Sequence, residues 1–462
     1  MAVNTQFSRS NAIKWAITIG LTLVMLLIPE TGFYAGEIKR FFVITVACLA
    51  LIAFEFFPML IVAGLMPMIW ALFNVVPASV AMGPWMGSTM YMVVGMFVMT
   101  ASLEHCGLLK RIAFILMSKI NGSYATLLVG LMVVGFILGV LTLGAAYAIM
   151  AALCAGLCYS LKVQRTRAGA GIAMAGMLGA CSSHAYTYSA QAMAVIFGVS
   201  GDILKDSVIT PISVFLHNWP MFFVCLGIMF IVIKWYKPEE AFNSGDYFKS
   251  ELQAMGKISR REKINAVMIA CVLLYICTYD MHHLDLNYAF AIIPYMVFLP
   301  FLDGADSDTL KLVNWQMIFF VAGCMAIGTV ATSLGIGNIL AGFCIGAFSS
   351  LDNVFAIFGA VFGMVFGLNF LMTPLAIWSL LAQPVLQAAA SLGYNPVPFV
   401  YALISCSEAI ILPYEYVPYL LFYGFGIIKM GDFVKLNIMR SLVFFGGYLV
   451  ILIPYWYLIG LF

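Results

Sequence analysis

Two segments of the chain place many polar side chains inside otherwise apolar sequence. The first covers residues 182–191 and the second covers residues 405–419. Together they carry hydroxyl, imidazole, amide and carboxylate groups, on Ser182, Ser183, His184, Tyr186, Thr187, Tyr188, Ser189, Gln191, Ser405, Ser407, Glu408, Tyr414, Glu415, Tyr416 and Tyr419. Such groups are costly in apolar surroundings unless they line water or a ligand. We therefore predict that both segments contribute to one buried polar site.

The alternative is that these side chains join helices to one another. Ser, Thr and Tyr hydroxyls commonly form hydrogen bonds between membrane helices, and for any single serine here we favour that role. Two dense clusters at corresponding points of the two halves of the chain favour a site instead.

Three of these residues could carry a proton. Carboxylates within apolar segments often do so in membrane proteins, and histidine titrates near neutral pH. Glu408 lies deeper in its segment than Glu415, so Glu408 is the favoured carrier. For Glu415, a proton role and a structural hydrogen-bonding role weigh equally. For His184 we favour the structural role, which is commoner for a lone histidine.

The charge of the two segments bears on the ligand. Neither contains Lys or Arg, so an anion would be bound by helix N-termini, backbone amides and hydroxyls, an arrangement that suits a carboxylate or a sulfonate. The tyrosines, Trp378 and Glu415 would suit a cationic or zwitterionic amine instead. Aromatic residues make up 15% of the whole chain, so their presence here is weak support for an amine, and we favour the organic anion.

The elements that position these residues are membrane helices. The chain has 462 residues, of which 64% are hydrophobic and 9% charged, with a mean hydropathy of +1.04. No soluble core needs so much apolar surface, so we predict an all-α polytopic membrane protein. The net charge of +2 indicates no nucleic-acid partner, and the eleven cysteines, without a CxxC pair, indicate neither a disulfide framework nor a zinc site.

The two halves of the chain share a spacing of glycines. Gly323 and Gly335 lie 228 positions after Gly95 and Gly107. In a polytopic membrane protein, internal duplication is typical of a secondary transporter with its substrate between the repeats.

The apolar segments predict about eleven transmembrane helices and two re-entrant hairpins. The hairpins are the stretches 124–160 and 353–392, which small residues or proline interrupt. The predicted spans are 12–29, 39–56, 58–77, 88–106, 171–198, 209–235, 264–279, 287–302, 313–334, 398–427 and 439–461. We divide the chain into an N-terminal helix (1–35), a first inverted repeat (36–235, with broken helix 171–198), a cytoplasmic linker (236–263) and a second inverted repeat (264–462, with broken helix 398–427).

Basic residues set the predicted orientation. They concentrate at 162–167, in the linker, and before the last span, where Lys429, Lys435 and Arg440 lie. The positive-inside rule then places the N-terminus in the cytoplasm of a multi-pass protein of the plasma (bacterial inner) membrane. An odd number of spans, with the hairpins outside the count, puts the two repeats in opposite orientations.

Four segments carry a resemblance to a known family. They are FEFFPMLIVAGLMPMI (54–69), GLLKRIAFILMSK (107–119), LLAQPVLQAAASLGYNP (380–396) and ALISCSEAIILPYEYVPYLLFYGFGIIKMGDFVKLN (402–437). The chain resembles the divalent anion/sodium symporter family, which includes citrate and dicarboxylate carriers. The resemblance implies a homodimer in the lipid bilayer with two inverted repeats.

The resemblance also implies where the site lies. The family's paired Ser-Asn-Thr motifs at the hairpin tips fall on Gly144-Ala145-Ala146 and Thr373-Pro374-Leu375, and its Thr-Pro-Pro-Asn motifs fall on 187–190 and 416–419. The implied substrate-binding residues are Ala145, Ala146, Thr187, Tyr188, Thr373, Pro374, Tyr416 and Pro418. The polar segment 182–191 adds Ser183 and His184 to this prediction. From the polar segments themselves we predict four ion- or proton-coupling residues, Ser182, Ser407, Glu408 and Glu415.

Most oxygen-bearing side chains of these motifs are replaced here. A hard cation such as Na⁺ needs several oxygen ligands, and alanine offers only its carbonyl. We therefore predict coupling to H⁺, or exchange, in place of coupling to Na⁺, although backbone oxygens at a helix break could still bind Na⁺. No cofactor is expected beyond a coupling ion, H⁺ or Na⁺.

The predicted function is secondary active transport of small organic anions, such as di- or tricarboxylates or sulfonates, by alternating access. The alternatives are a carrier of a zwitterionic or cationic amine, and a non-transporting membrane-embedded enzyme or subunit. The segment Asp280–Asp285 could be imagined as a metal site for an enzyme, but its two adjacent histidines do not share a helix face. We predict an external surface loop there, no metal site, no nucleic-acid partner and no enzymatic activity.

Overall fold

A computed structural model describes residues 9–30, 32, 34–54, 56–119, 123–204, 207, 209–238, 245–285, 287–351, 353–370 and 372–462. Every regular element within these ranges is helical, which confirms the predicted all-α class. The predicted N-terminal helix and linker include residues outside the description, namely 1–8, 31, 33 and 239–244.

The first half contains twelve α-helices within the described ranges. They are α1 (Arg9–Leu27), α2 (Gly36–Ala53), α3 (Met59–Leu72), α4 (Ala78–Ala81), α5 (Ser88–His105), α6 (Leu108–Ser118), α7 (Tyr124–Thr142), α8 (Tyr147–Ser160), α9 (Arg167–Ala180), α10 (Ala190–Ser200), α11 (Pro211–Asn218) and α12 (Pro220–Trp235). Short 3-10 helices lie at Gly83–Met86, Ser182–Ala185 and Gly201–Leu204.

The linker and the second half contribute the remaining helices of the described ranges. They are α13 (Gly245–Ala254), α14 (Arg260–Cys277), α15 (Tyr279–His282), α16 (Asn287–Ile292), α17 (Ser307–Lys311), α18 (Trp315–Ser333), α19 (Ile336–Ser349), α20 (Val354–Asn369), α21 (Pro374–Ser391), α22 (Val397–Ser407), α23 (Val417–Gly424), α24 (Met430–Gly447) and α25 (Ile453–Leu458). The 3-10 helices Ile293–Phe298 and Pro413–Glu415 and a π-helical turn, Tyr448–Leu452, complete them.

The duplicated glycines occupy equivalent turns. Gly107 joins α5 to α6 with φ of 80°, and Gly335 joins α18 to α19 with φ of 72°. Both angles lie in the left-handed region, which a residue without a Cβ adopts at little cost. The two positions 228 residues apart therefore make the same bend.

The other glycine pair shows that the halves interlock reciprocally. A Cβ on Gly95 of α5 would overlap the carbonyl oxygen of Phe290, beside Ala291 of α16. A Cβ on Gly323 of α18 would lie 3.2 Å from the Cβ of Ala63 of α3. Ala291 is itself 228 positions after Ala63. Contacts exchanged in this way between halves are the pattern that a two-fold axis produces.

We expect Gly95→Ala to be the more damaging of two matched substitutions. It forces α5 away from the backbone of α16 and should lower the free energy of unfolding by about 1–3 kcal/mol. Gly323→Ala meets its neighbour at 3.2 Å and should cost less. Thermal unfolding of both variants in detergent measures the difference, and equal melting temperatures would contradict the predicted close approach at Gly95.

The stretch 124–160 contains two antiparallel helices. Near its start, α7 touches the start of α9, where the hydroxyl of Tyr124 donates to the carbonyl of Ala168 at 3.1 Å. Farther along, a Cβ on Gly135 would lie 2.9 Å from the Cα of Gly179, so α7 and α9 run in parallel. α8 turns back toward the start of α9, since only residues 161–166 connect them. With 19 residues, α7 is also long and apolar enough to span a membrane by itself.

The stretch 353–392 is arranged in the same way along α22. The ring of Phe358 stacks on Phe399 near the start of α22, at 4.7 Å between centroids. Asn369, at the end of α20, donates to the carbonyl of Ser407 at 3.4 Å, at the end of α22. α21 then returns, and the ring of Tyr394, just after it, lies 6.2 Å from that of Phe399.

The number of membrane spans stays a prediction. By length and composition, the described residues hold three spanning helices: Tyr124–Thr142, Trp315–Ser333 and Met430–Leu458. The number rises to at most five if each of two bent pairs, α5 with α6 (60°) and α11 with α12 (59°), is counted as one span. The predicted span 209–235 is therefore not one straight helix, because Pro220 lacks the backbone N–H that would continue α11.

Charged residues tie the linker to one end of the molecule. The guanidinium of Arg111 on α6 forms an ion pair with Glu262 and donates to the carbonyls of Met255 and Gly256. At the same end, hydrogen bonds from Arg261 hold the pKa of the Asp306 carboxyl down at about 2.

Candidate functional site

Two interruptions of helices carry the predicted polar residues. The first separates α9 from α10 and covers residues 181–189, and the second separates α22 from α23 and covers residues 408–416. Pro413 lacks a backbone N–H, which interrupts the helix in the second break, and Pro418 lies in the first turn of α23. In the first break, the hydroxyl of Thr187 donates to the carbonyl of Ser183 at 2.8 Å and so competes with regular helix.

The two breaks contact each other. Nδ1 of His184, in the first break, lies 3.5 Å from Oε1 of Glu408, in the second. The hydroxyls of Ser182 and Tyr419 are 3.3 Å apart. Tyr419 also donates to Oε2 of Glu408 at 3.0 Å. All four side chains are at most 3% exposed, so residues predicted from the two segments do share one buried cluster.

A fifth side chain, Arg440 of α24, completes this cluster. Nη1 of Arg440 donates to the hydroxyl of Ser182 at 2.9 Å and also contacts the hydroxyl of Tyr419. Its Nη1 lies 3.7 Å from the Glu408 carboxylate, and its guanidinium carbon lies 4.8 Å from the centroid of the Tyr419 ring. We call Ser182, His184, Glu408, Tyr419 and Arg440 the polar junction.

The position of Arg440 corrects two expectations. The sequence pattern places Arg440 beside Lys429 and Lys435 at the cytoplasmic face, and it predicts a site without arginine. The structure buries Arg440 to 1% exposure because α24 begins at Met430, well before residue 439, which puts Arg440 three turns inside the helix. The signal in the sequence is a lone arginine next to the apolar run SLVFF.

The tip of the first hairpin is bound to the first break. Leu143 and Gly144 have φ of 50° and 94° and reverse the chain. The carbonyl of Leu143 accepts from the backbone N–H of Ala190 at 3.2 Å. The carbonyl of Gly144 accepts from Nε2 of His184 at 3.1 Å. The predicted residues Ala145 and Ala146 therefore lie in a turn that touches the polar junction through His184.

The tip of the second hairpin is bound to the second break by a residue that sequence reasoning missed. The amide of Asn369 donates to the carbonyls of Ser407 and Ala409, each at 3.4 Å. Thr373 precedes α21, whose first residue is Pro374, as is common at a helix N-terminus. An asparagine close to the end of an apolar helix is the available signal.

Three predicted residues have structural partners. The hydroxyl of Ser407 accepts from the indole Nε1 of Trp378 at 3.0 Å and joins α21 to α22. The carboxylate of Glu415 accepts from the backbone N–H groups of Ile411 and Leu412, at 2.9 and 3.1 Å, and closes the turn of the second break. The hydroxyl of Thr187 bonds within its own break.

Several buried hydroxyls have no hydrogen-bond partner in the described part of the chain. Among them are the hydroxyls of Ser183, Thr373 and Ser405. Buried polar atoms are nearly always paired in native proteins, so these unpaired hydroxyls are available to a polar ligand. Tyr416 and Pro418, at the start of α23, are also buried.

A cavity of about 330 Å³ leads toward the first break. Tyr188, four residues after His184 in the first break, lines its wall. The segment predicted to be a surface loop contributes His283 and Asp285 to the lining of the cavity, and Asp285 accepts a hydrogen bond from Ser88 at 2.9 Å. The cavity could therefore admit a small molecule from that end of the protein.

Comparison with known proteins places this geometry in context. The L-tartrate/succinate antiporter of Escherichia coli (strain K12) is 22% identical over 242 residues, which cover 49% of this chain and 49% of that protein. The L-tartrate/succinate antiporter of Shigella dysenteriae serotype 1 (strain Sd197) is 23% identical over 210 residues, covering 44% and 42%. The chain thus matches about half the length of these curated relatives.

Similarity of fold and of family extends farther along the chain. The structure of the Alcanivorax borkumensis YdaH transporter superposes with a TM-score of 0.55 over 97% of both chains, at 15% identity, which shows a shared fold. The family model described as citrate transporter (CitMHS) matches residues 49–405. These findings confirm the resemblance to citrate and dicarboxylate carriers, and the chain belongs to the citrate transporter family.

Proposed function

We propose that this protein is a secondary carrier of small organic anions, di- or tricarboxylates, and that it couples transport to a proton or to exchange. The family model is named for citrate transport, and the relatives quoted above are named for the exchange of tartrate and succinate. The proposal includes alternating access, with each hairpin and broken helix moving against the remaining helices. It also includes a plasma-membrane location with the N-terminus in the cytoplasm.

The observation that carries the proposal is the pairing of His184 with Glu408. Nε2 of His184 faces the carbonyl of Gly144, which can only accept, so Nε2 carries a hydrogen. Nδ1 then faces Oε1 of Glu408 at 3.5 Å, and a neutral imidazole has no second hydrogen to place there. One proton added to this pair, on either residue, converts two opposed acceptors into a hydrogen bond.

The same proton changes the charge of the polar junction. Without it, the charges of Glu408 and Arg440 cancel and His184 is neutral. With it, the junction carries one net positive charge in a buried, low-dielectric place, which attracts an anion strongly. Binding of the proton therefore favours binding of the anion, and the reverse, as coupled transport requires. A cationic amine is a poorer match, because Arg440 would repel it.

Access to the junction also fits a carrier. The junction lies where the first break meets the second, and the cavity beside Tyr188 approaches it from one end. In the predicted orientation that end is extracellular. A carrier of this design would close the cavity and open a path at the cytoplasmic end, where Arg165 and the linker lie.

Reconstitution tests the proposal directly. Purified protein in proteoliposomes should take up labelled citrate or a four-carbon dicarboxylate when a proton gradient is imposed or when unlabelled dicarboxylate is inside, and a Na⁺ gradient alone should add nothing. Uptake that requires Na⁺ would overturn the coupling. If folded protein transports no carboxylate under any of these gradients, the proposal that it is a carboxylate carrier is wrong.

The two glutamates of the second break should behave differently. We expect Glu408→Gln to flatten the pH dependence of uptake, because it removes one partner of the proton-accepting pair. Glu415→Gln should leave that dependence unchanged but lower the free energy of unfolding by about 1–3 kcal/mol, because two backbone N–H groups lose a carboxylate acceptor. Uptake measured across pH, with thermal unfolding of each variant, separates the two roles. An unchanged pH profile in Glu408→Gln would remove Glu408 from the coupling mechanism.

A further inference from the structure

We propose that Arg440 is a tethered cation that fills an oxygen-lined cation site at the second break, so that this carrier binds no free metal ion there. The inference deepens the proposed function, and it rests on that function wherever it concerns the coupling of transport to an ion. Its physical content concerns only Arg440 and the oxygens around it.

The oxygens come from both halves of the chain. Nη2 of Arg440 donates to the carbonyls of Glu408 and Ile410, at 2.7 and 3.0 Å. Nη1 donates to the hydroxyl of Ser182, contacts that of Tyr419 and lies 3.7 Å from the carboxylate of Glu408. Carbonyl, hydroxyl and carboxylate oxygens converging on one point are the ligand set that hard cations take.

The end of α22 requires a positive charge at this place. The last carbonyls of a helix lack intrahelical partners and carry the negative end of the helix dipole. Here the Glu408 carboxylate adds a full negative charge, and the site is buried. A buried carboxylate is very costly without a cation.

Arg440 supplies that cation permanently. A guanidinium stays protonated at any physiological pH, and its planar fork can bond several oxygens at once. Its helix, α24, is held by α12, where the hydroxyl of Tyr236 donates to Asp432 at 3.3 Å and Gly447 packs against Val224. The charge therefore cannot leave with the substrate, whereas a bound Na⁺ could.

The chain offers a matched control in Arg111. This arginine is also buried, and it also pairs with a carboxylate, Glu262, and bonds backbone carbonyls. It lies at the linker, away from both helix breaks. Loss of Arg111 therefore tests the effect of removing a buried arginine without opening a site between the two halves.

The experiment compares the melting temperature of the wild type, Arg440→Ala, Arg440→Gln and Arg111→Ala in detergent. Each is measured in choline, Na⁺ or guanidinium chloride at equal, millimolar concentration. The wild type and Arg111→Ala should melt at the same temperature in choline and in Na⁺. Arg440→Ala should melt lower in choline and rise by a few degrees, saturably, with Na⁺ or guanidinium, because a ligand that binds only the folded state stabilises it.

Two results would overturn the inference. One is a wild type that Na⁺ stabilises over choline, which would mean that a metal site is open beside Arg440. The other is a folded Arg440 variant that responds to neither cation. If Arg440→Ala does not fold, Arg440→Gln, which fills more of the space, carries the same test. Proteoliposomes of the wild type that move no carboxylate would refute the proposed function, and the melting comparison would still decide the role of Arg440.

Discussion

Replacing Glu408 with alanine should lower the free energy of unfolding by about 3–5 kcal/mol, one of the largest effects expected of any single change here. The reason is the charge that remains. Arg440 is 1% exposed, and without Glu408 its guanidinium stays buried after losing the carboxylate that it pairs with. The hydroxyl of Tyr419 also loses its acceptor.

The double variant Glu408→Ala/Arg440→Met should be less damaged than the sum of the two single variants. The difference, a coupling energy of about 1–3 kcal/mol, reports the direct interaction of the two charges. Tryptophan fluorescence during thermal or denaturant unfolding in detergent measures each stability.

An exposed ion pair provides the control for this cycle. Lys110 and Glu251 lie 3.7 Å apart, with side chains 57% and 38% exposed. Glu251→Ala should cost less than about 1 kcal/mol, because water screens such pairs. If Glu408→Ala is no more destabilising than Glu251→Ala, the polar junction is not a buried ionic cluster.

Substituting Gly144 with alanine should reduce transport by roughly tenfold or more, since small displacements of groups in a site have large effects on rate. A Cβ on Gly144 would lie 2.8 Å from Nε2 of His184, and the backbone φ of 94° is unfavourable for any residue with a Cβ. The imidazole must then move away from Gly144, and its alignment with Glu408 is lost.

Gly335→Ala separates backbone strain from this steric contact. Gly335 has φ of 72°, and a Cβ added there would have no neighbouring atom within 4 Å, so alanine meets the strain alone. Both variants should lose about 1–2 kcal/mol of stability from the left-handed backbone. Initial rates of dicarboxylate exchange should fall much further in Gly144→Ala, and equal rates in both would show that the contact with His184 has no part in transport.

Several features were predictable because they depend on composition and local pattern. The apolar content identified a helical membrane protein, since only such a protein needs so much apolar surface. The shared spacing of Gly107 and Gly335 matched two identical helix junctions, because left-handed backbone favours glycine wherever it recurs. Ser182, His184 and Glu408 stood out as polar groups in apolar sequence, and they lie together.

Other features depended on neighbours that are distant in sequence. Asn369 gains its role only because α20 ends beside the carbonyls of the second break. For Glu415 the sequence left a proton role and a structural role equally open, and the turn that it closes places two backbone N–H groups against its carboxylate. A pattern of residues does not show which hydrogen-bond partner lies within reach of a side chain in the folded protein.

Arg440 marks the boundary between the two kinds of information. The residue sequence alone established a polytopic helical protein with two polar interruptions, because burial of apolar surface is a property of each segment. Only the tertiary structure determined which charged groups lie in the interior, because Arg440 reaches Ser182 and Glu408 only after α24 packs against both halves. Electrostatic energy in a buried site depends on distances of a few ångströms between segments, and those distances exist only once the helices have assembled.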